Sequence, residues 1–363
     1  MSIDSKDARQ QLSRLGWSAY FQNQFTGPAQ DGLRPARVIG VRKNSFRVSD
    51  GTDEWPATLS GRLKHDAGSM YPVTGDWVLL ADTLISRVLS RKNVLSRGAS
   101  GTHDRQTAQP QKEQVIAANL DSVFIVSGLD RDFNLRRIER YLTLVYNCGL
   151  NPVIVLTKAD LHQNPGTFAG EVETIALGVP VHLVSVADDT GLTALHPYLV
   201  SGQTVAMLGS SGAGKSTLLN RLYGESVQLT GAVSEQVGKG RHTTTNRDLI
   251  MMPQGGMLID NPGIREIAFW DDDRGIEAAF PEIETLGREC RFSDCSHDRE
   301  PGCRVLRAVD DGEISAERLD NYRKMKRELE YLSSRQNKSA DRVEKERWKG
   351  VALKIREIKK RKL

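Results

Sequence analysis

The residues best suited to chemistry are Gly209-Ser210-Ser211-Gly212-Ala213-Gly214-Lys215-Ser216, which fit G-x-x-x-x-G-K-[ST]. They follow a short apolar run, Val205 to Leu208, and precede the helically spaced Leu218, Leu219 and Leu222. Strand, glycine loop and helix in that order turn successive backbone N–H groups around a phosphate, and the helix start adds the positive end of its dipole. The expected phosphate-binding stretch is Leu208 to Thr217. Lys215 reaches the β- and γ-phosphates in such a loop, and the Ser216 hydroxyl sits on Mg²⁺.

A second set follows the apolar run ending at Leu156: Thr157-Lys158-Ala159-Asp160. A carboxylate fixed at a strand end accepts from both the ring N1–H and the exocyclic amine of guanine. Adenine lacks that donor pair, so Asp160 would select GTP over ATP, while the alkyl stem of Lys158 lies along the base. T-K-x-D alone also describes a turn entering a helix. Ser185-Val186-Ala187 closes the next strand, where GTPases place a Ser-Ala contact to guanine, and this favours the nucleotide reading.

A third set, Asp260-Asn261-Pro262-Gly263, has the D-x-x-G pattern. Asp260 would hold Mg²⁺ through water and the Gly263 N–H would touch the γ-phosphate; the plain alternative is a D-N-P-G turn. The polar segment Gly238 to Asp248 suits a switch, with Thr245, preferred over Thr244, completing the Mg²⁺ shell. Ile264 stands where many GTPases carry a glutamine that orients water, so a slow intrinsic rate is expected. His242 is the internal candidate for that duty; the alternative is a solvent-facing histidine with none.

Cys290, Cys295, His297 and Cys303 have the spacing C-x₄-C-x-H-x₅-C. Four soft ligands so close together suit tetrahedral Zn²⁺ with no open position, hence one structural ion. Cys148 reads as a core cysteine.

The elements that must position these groups alternate from Asn119 onward. Strands are expected at Ser122–Val126, Pro152–Leu156, Val181–Val184, Val205–Leu208 and Met257–Ile259, and helices at Leu135–Tyr146 and Ala169–Ala176. This is the grammar of a mostly parallel sheet, whose ligands bind at the carboxyl ends of strands. Upstream, five short β-rich runs between Pro35 and Arg97 suggest an OB-type barrel. The run carries Arg37, Arg42, Lys43, Arg47, Arg62, Lys64, Arg87, Arg91 and Lys92, which fits either an RNA-facing surface or a merely solvated barrel. A helix from Ala8 to Phe25 is expected to dock on the body, and the polar residues 98–114 read as a linker. Leu319, Tyr322, Met325, Leu329 and Leu332 form a helical stripe, followed by a Lys/Arg-rich end.

The fold class is therefore multidomain α/β. It comprises an N-terminal extension (1–33), an OB-like β-barrel (34–100), a P-loop GTPase domain (115–272), a C-terminal helical zinc-binding domain (273–335) and a basic tail (336–363). A length of 363 residues allows two or three cores. The 39% hydrophobic and 26% charged residues are those of a soluble globular chain. No apolar run reaches membrane-span length and the polar N-terminus lacks a signal-peptide core, so a cytoplasmic protein without a membrane partner is expected. The net charge of +4 permits an acidic partner without requiring one. Since the guanine-reading motif precedes the P-loop, the reverse of the common order, the domain reads as circularly permuted.

With these parts in order, the chain resembles the RsgA (YjeQ) family of ribosome small-subunit-dependent GTPases over nearly its whole length. The matching motifs are Gly209 to Thr217, Gly240 to Thr245, Asp260 to Glu266 and the Cys290/Cys295/His297/Cys303 cluster. Thr157 replaces the family's asparagine, and Asn261 a threonine or serine. The resemblance implies a bacterial GTPase that binds the small (30S) subunit late in assembly and leaves on subunit-stimulated hydrolysis of GTP to GDP. Its barrel and zinc module would grip 16S rRNA; a monomer is expected. Other readings open at this point are an RNA-binding scaffold with a structural nucleotide, a P-loop ATPase or kinase, and a permuted GTPase of another ribosomal particle.

Overall fold

The computed structural model describes residues 6–25, 32–43, 45–66, 71–98, 113–224, 248–260 and 274–330. The chain divides into two compact units, Met1–Ser96 with Val115–Arg265, and Arg97–Gln114 with Glu266–Leu363.

In the first unit, β1 (Arg34–Val41), β2 (Phe46–Ser49), β3 (Glu54–Leu59), β4 (Trp77–Ala81) and β5 (Leu84–Val88) close a barrel in the order β1-β2-β3-β5-β4. Each of the five β-rich runs becomes one of its strands, and a short helix, α3 (Gly61–Asp66), follows β3. Alternating residues Val38, Phe46, Val48, Val78, Leu80 and Ile85 fill the interior. Only the β3–β5 pair is parallel.

The N-terminal extension differs from expectation. Instead of one helix from Ala8 to Phe25 there are two short ones, α1 (Lys6–Arg14) and α2 (Ala19–Gln22). The chain turns between them at Gly16, with φ of +85°, where a Cβ would stand 2.9 Å from the Gly202 carbonyl oxygen. The expected docking is seen: Leu12, Leu15, Trp17 and Phe21 are buried, and the rings of Trp17 and Phe21 pack on Trp77.

Two strands flank the expected linker. β6 (Val94–Gly98) and β7 (Glu113–Ala118) pair as a two-stranded sheet, so the stretch 98–114 begins and ends in strand. Polar residues at both strand ends hid this pairing; residues 99–112 lie outside the described residues.

The second sheet holds β8 (Ser122–Gly128), β9 (Pro152–Thr157), β10 (Val181–Leu183), β11 (Thr204–Leu208), β12 (Leu249–Met251) and β13 (Met257–Asp260), in the order β10-β9-β8-β11-β13-β12. All pairs are parallel except β12 with β13. β12 was not anticipated, because three residues carry too little periodicity. Phe124, Val126, Val153, Val155, Val205, Met207, Leu218 and Leu258 form one core cluster. Each such side chain contributes about 1.5–3 kcal/mol by leaving water. Helices α4 (Leu135–Asn147), α5 (Gly166–Ile175) and α6 (Lys215–Tyr223) complete the strand–helix alternation. The Asn134 carbonyl side chain caps α4 by accepting from Arg137 N at 3.0 Å.

Three of the basic residues that the sequence left open between an RNA-facing and a merely solvated surface are engaged by the protein itself. Arg37 is 1% exposed; it donates to the carbonyls of Leu15, Gly75 (3.2 Å) and Asn119 (3.1 Å) and meets Met257 Sδ at 3.3 Å. Burial brings its pKa down to about 10, against the pull of Asp121 and Asp76. Arg91 pairs with the buried Asp76 at 2.7 Å, and Arg42 pairs with Asp248. A sequence shows charge but not facing, and five polar hydrogens let a buried guanidinium satisfy several carbonyls at once.

In the second unit, α7 (Arg274–Ala279), α8 (Pro281–Gly287), α9 (Arg304–Asp310) and the helix at 316–330 surround Ile276, Phe280, Ile283, Val305, Leu319, Tyr322 and Met325, all buried. The described part of the expected stripe, Leu319 to Leu329, is thus the inner face of that helix. Among the described residues, no helix is long and apolar enough to cross a membrane.

Candidate nucleotide site and metal centre

Strands β9, β8, β11 and β13 run parallel, so the loops leaving their carboxyl ends share one edge of the sheet. The loops after β9 and β11 are bonded to each other. Thr157 is buried, and its hydroxyl donates to the Ala213 carbonyl at 2.6 Å. Lys158, held left-handed at φ 61°, donates from Nζ to the Gly212 carbonyl at 2.7 Å and to Asp130 Oδ2 at 2.6 Å. The T-K-x-D segment and the glycine loop, 56 residues apart at Thr157 and Ala213, are one assembly.

Asp160 is exposed at the site. Its Oδ1 accepts from Ser185 Oγ at 2.7 Å, and the same hydroxyl accepts from Ala187 N at 3.2 Å. The carboxylate is thereby aimed by the loop after β10. Ala159 is buried, with its N–H on the Val184 carbonyl at 3.2 Å.

In the glycine loop, Leu208 and Ala213 are buried, Ser210 and Gly214 are partly so, and Ser211, Gly212, Ser216 and Thr217 face solvent. α6 starts at Lys215 with Gly214 as its N-cap and no capping side chain, so its first amides are available to an anion. Lys215 Nζ sits among the loop carbonyls, 2.8 Å from Gly209 O and 2.6 Å from Ser210 O. Burial lowers its pKa, while Asp260 and Asp132 act to raise it. Asp260 is the converse: burial raises its pKa and Lys215 opposes this. Asp260 Oδ1 is buried with no hydrogen-bond partner among the described residues. An orphan carboxylate oxygen beside a phosphate loop fits a hard cation such as Mg²⁺.

Two further carboxylates were missed in the sequence. Asp130 and Asp132 lie in the loop after β8, where Asp130 pairs with Lys158 and Asp132 accepts from Ser210 Oγ and from Arg137. Their motif carries no spacing signal; only the adjacency of β8 and β11 brings them to the glycine loop. His242, Thr244, Thr245, Asn261, Gly263 and Ile264 lie outside the described residues.

The cysteine cluster is assembled in the second unit. One ligand atom from each of Cys290, Cys295, His297 and Cys303 lies within 4.8 Å of all the others. Cys290 Sγ and Cys303 Sγ are 3.8 Å apart, and His297 Nδ1 is 3.6 Å and 3.4 Å from them. A tetrahedron with Zn–S bonds of ~2.3 Å has S···S edges of ~3.8 Å, which the Cys290–Cys303 separation matches, so the donor set suits that ion. Cys303 also caps α9, accepting from Leu306 N, and Arg323 holds the His297 carbonyl. Cys148 stands apart, half-buried, with Sγ 3.8 Å from Ser96 O.

A family description, RsgA GTPase, matches residues 88–270, spanning both bonded loops and the barrel junction. A protein of Opitutus terrae named small ribosomal subunit biogenesis GTPase RsgA is 43% identical over 94% of this chain and 95% of its own length. The chain belongs to the RsgA GTPase family. A Methanosarcina acetivorans protein of the same name is 46% identical over 95% of this chain and 92% of its own. The crystal structure of YjeQ from Thermotoga maritima matches with a TM-score of 0.59 at 29% identity, covering 82% of this chain and 98% of that one. YloQ, titled a circularly permuted GTPase, shares the fold with a TM-score of 0.56 at 22% identity. A second description, 50S ribosome-binding GTPase, matches residues 204–338. The chain is a GTP hydrolase built of a barrel, a permuted nucleotide-binding sheet and a helical unit with a Cys₃His cluster.

Proposed function

We propose that this GTPase acts in late maturation of the small ribosomal subunit, and that hydrolysis of GTP, stimulated by the subunit, releases it. The printed names of the relatives support the ribosomal role, and two hydrogen bonds between loops, Thr157 and Lys158 on the Ala213 and Gly212 carbonyls, support the guanine-nucleotide site it depends on. A base-reading segment tied to a phosphate-binding one is what a single guanine nucleotide requires. Asp160, aimed by Ser185, reads the base, and the Ser210 to Thr217 backbone with Lys215 takes the phosphates. Ser216, Asp260 and Thr245 would hold Mg²⁺, which would supply positive charge beside the transferred phosphoryl. Gly263 contacts the γ-phosphate, and His242 places the attacking water. Cys290, Cys295, His297 and Cys303 hold one structural Zn²⁺. The barrel (34–100) and the zinc module (273–335) contact 16S rRNA, in the cytoplasm and as a monomer.

GTP turnover with and without isolated small subunits tests this. The expected result is a slow intrinsic rate that the subunit stimulates, and a loss of that stimulation by about 10²-fold or more in His242→Ala with GDP binding retained. Equal stimulated rates would remove the histidine from the mechanism. No stimulation by any subunit would favour an RNA scaffold with a structural nucleotide. Stimulation by large subunits alone would move the site of action.

A further inference from the structure

Strand β1 of the barrel reaches the nucleotide sheet at two places, both on strands that lead to Asp260. From the middle of β1, Arg37 NH1 meets Met257 Sδ, at the first residue of β13. Just past the end of β1, Arg42 forms a two-pronged pair with Asp248, NH1 to Oδ1 at 2.8 Å and NH2 to Oδ2 at 2.9 Å. Asp248 immediately precedes β12, whose register pairs Leu249 with Ile259. Asp248 precedes Leu249 and Asp260 follows Ile259, so the two residues flank the same terminal pair of that ladder.

The contact is built rather than incidental. Gly40 forms an isolated antiparallel bridge with Asp248, and a Cβ on Gly40 would lie 2.6 Å from Asp248 Oδ1. Only a glycine admits the carboxylate there. β1 carries a bulge between Val38 and Gly40, which redirects the strand at this point. The Asp248 side chain is 9% exposed, so the guanidinium supplies most of its solvation.

We propose that Arg42 is a positioning residue for GTP hydrolysis: by clamping and neutralising Asp248 it fixes the β12–β13 edge, and so the Asp260 carboxylate, for the Mg²⁺-bearing end of the nucleotide. The barrel then acts on turnover as well as on partner binding. This rests on the reading of Asp260 and Lys215 as the nucleotide site, and the test separates the two.

Steady-state turnover is measured for the full chain carrying Arg42→Gln, Arg42→Lys or Asp248→Asn, with Lys215→Ala as the control. The Mg²⁺ dependence of labelled GDP release is measured in parallel. A misplacement of catalytic groups by about 1 Å can cost ~10²-fold, and a partial loosening is expected to lower kcat by about tenfold. The KM for GTP should stay within about twofold, and the Mg²⁺ concentration that half-slows GDP release should rise. Arg42→Lys should recover only part of kcat, because an ammonium cannot reproduce the fork. The Arg42→Gln/Asp248→Asn double variant should be no slower than either single, since they act through one contact. A purely structural pair would lower Tm and leave kcat and the Mg²⁺ midpoint unchanged well below Tm; that result overturns the proposal, as does a rise in KM alone. Should Arg42→Gln fail to fold, Arg42→Lys and Asp248→Asn decide by the same readouts. Turnover surviving in Lys215→Ala would instead overturn the nucleotide-site reading.

Discussion

Asp160→Asn is expected to lose GTP and gain xanthosine triphosphate. The carboxylate can accept two hydrogen bonds from the guanine edge, and bonds to a charged group contribute about 1.5–3 kcal/mol each, so about 10²–10⁴-fold in affinity depends on it. An asparagine amide at the same place turns a donor toward the exocyclic amine, and donor then faces donor. Xanthine carries a carbonyl at that position, which accepts from the new amide while its N1–H still donates to the asparagine oxygen. Ser185 Oγ, a donor to Asp160 Oδ1 at 2.7 Å, can keep the replacement oriented by donating to the amide oxygen. Competition of GTP, ATP and xanthosine triphosphate against labelled GDP measures the switch. An unchanged guanine preference in the variant would take Asp160 out of base recognition.

Removing the proposed Zn²⁺ from the second unit is expected to unfold it. A structural Zn²⁺ contributes about 10–16 kcal/mol, more than a small helical unit retains from its core. Cys303 contributes twice, as a cluster member and as the cap of α9 through Leu306 N. Cys303→Ala, or a strong chelator, should abolish the single bound zinc, reduce helical ellipticity and expose the region 274–330 to protease, while GDP binding by the sheet domain persists. The reduced side chains alone, 3.4–3.8 Å apart, make only weak contacts with one another. Full protease resistance of the zinc-free protein would show that the helices stand without the ion.

The parts legible in the sequence were those whose chemistry restricts residue type and spacing together. The glycine loop needs small residues, then a lysine, then a helix, so Gly209 to Ser216 announced both the loop and α6. The cluster at 290–303 did the same for a metal. Strand alternation placed the barrel, because a closed five-stranded barrel needs one inward face per strand. What stayed hidden depends on neighbours distant in sequence. Whether Arg37 and Arg42 face RNA or the protein is decided by Asn119, Met257 and Asp248. Asp130 and Asp132 reach the glycine loop only because β8 pairs with β11. Gly16, the weak point of the expected N-terminal helix, does break it, but the approach of Gly202 at that turn is not visible in the sequence. Thr157 ties its loop to the glycine loop through a hydroxyl on Ala213 O, a bond between residues far apart in sequence.

The central claim is that the glycine loop and the T-K-x-D loop, inverted in chain order, serve one guanine nucleotide. A crystal structure with GDP and Mg²⁺ tests it most directly. The account predicts the β-phosphate within hydrogen-bond reach of Lys215 Nζ and the Gly212 to Ser216 amides, with guanine N1 and its exocyclic amine on Asp160. A β-phosphate in the loop with the base stacked elsewhere, out of reach of Asp160, would contradict it.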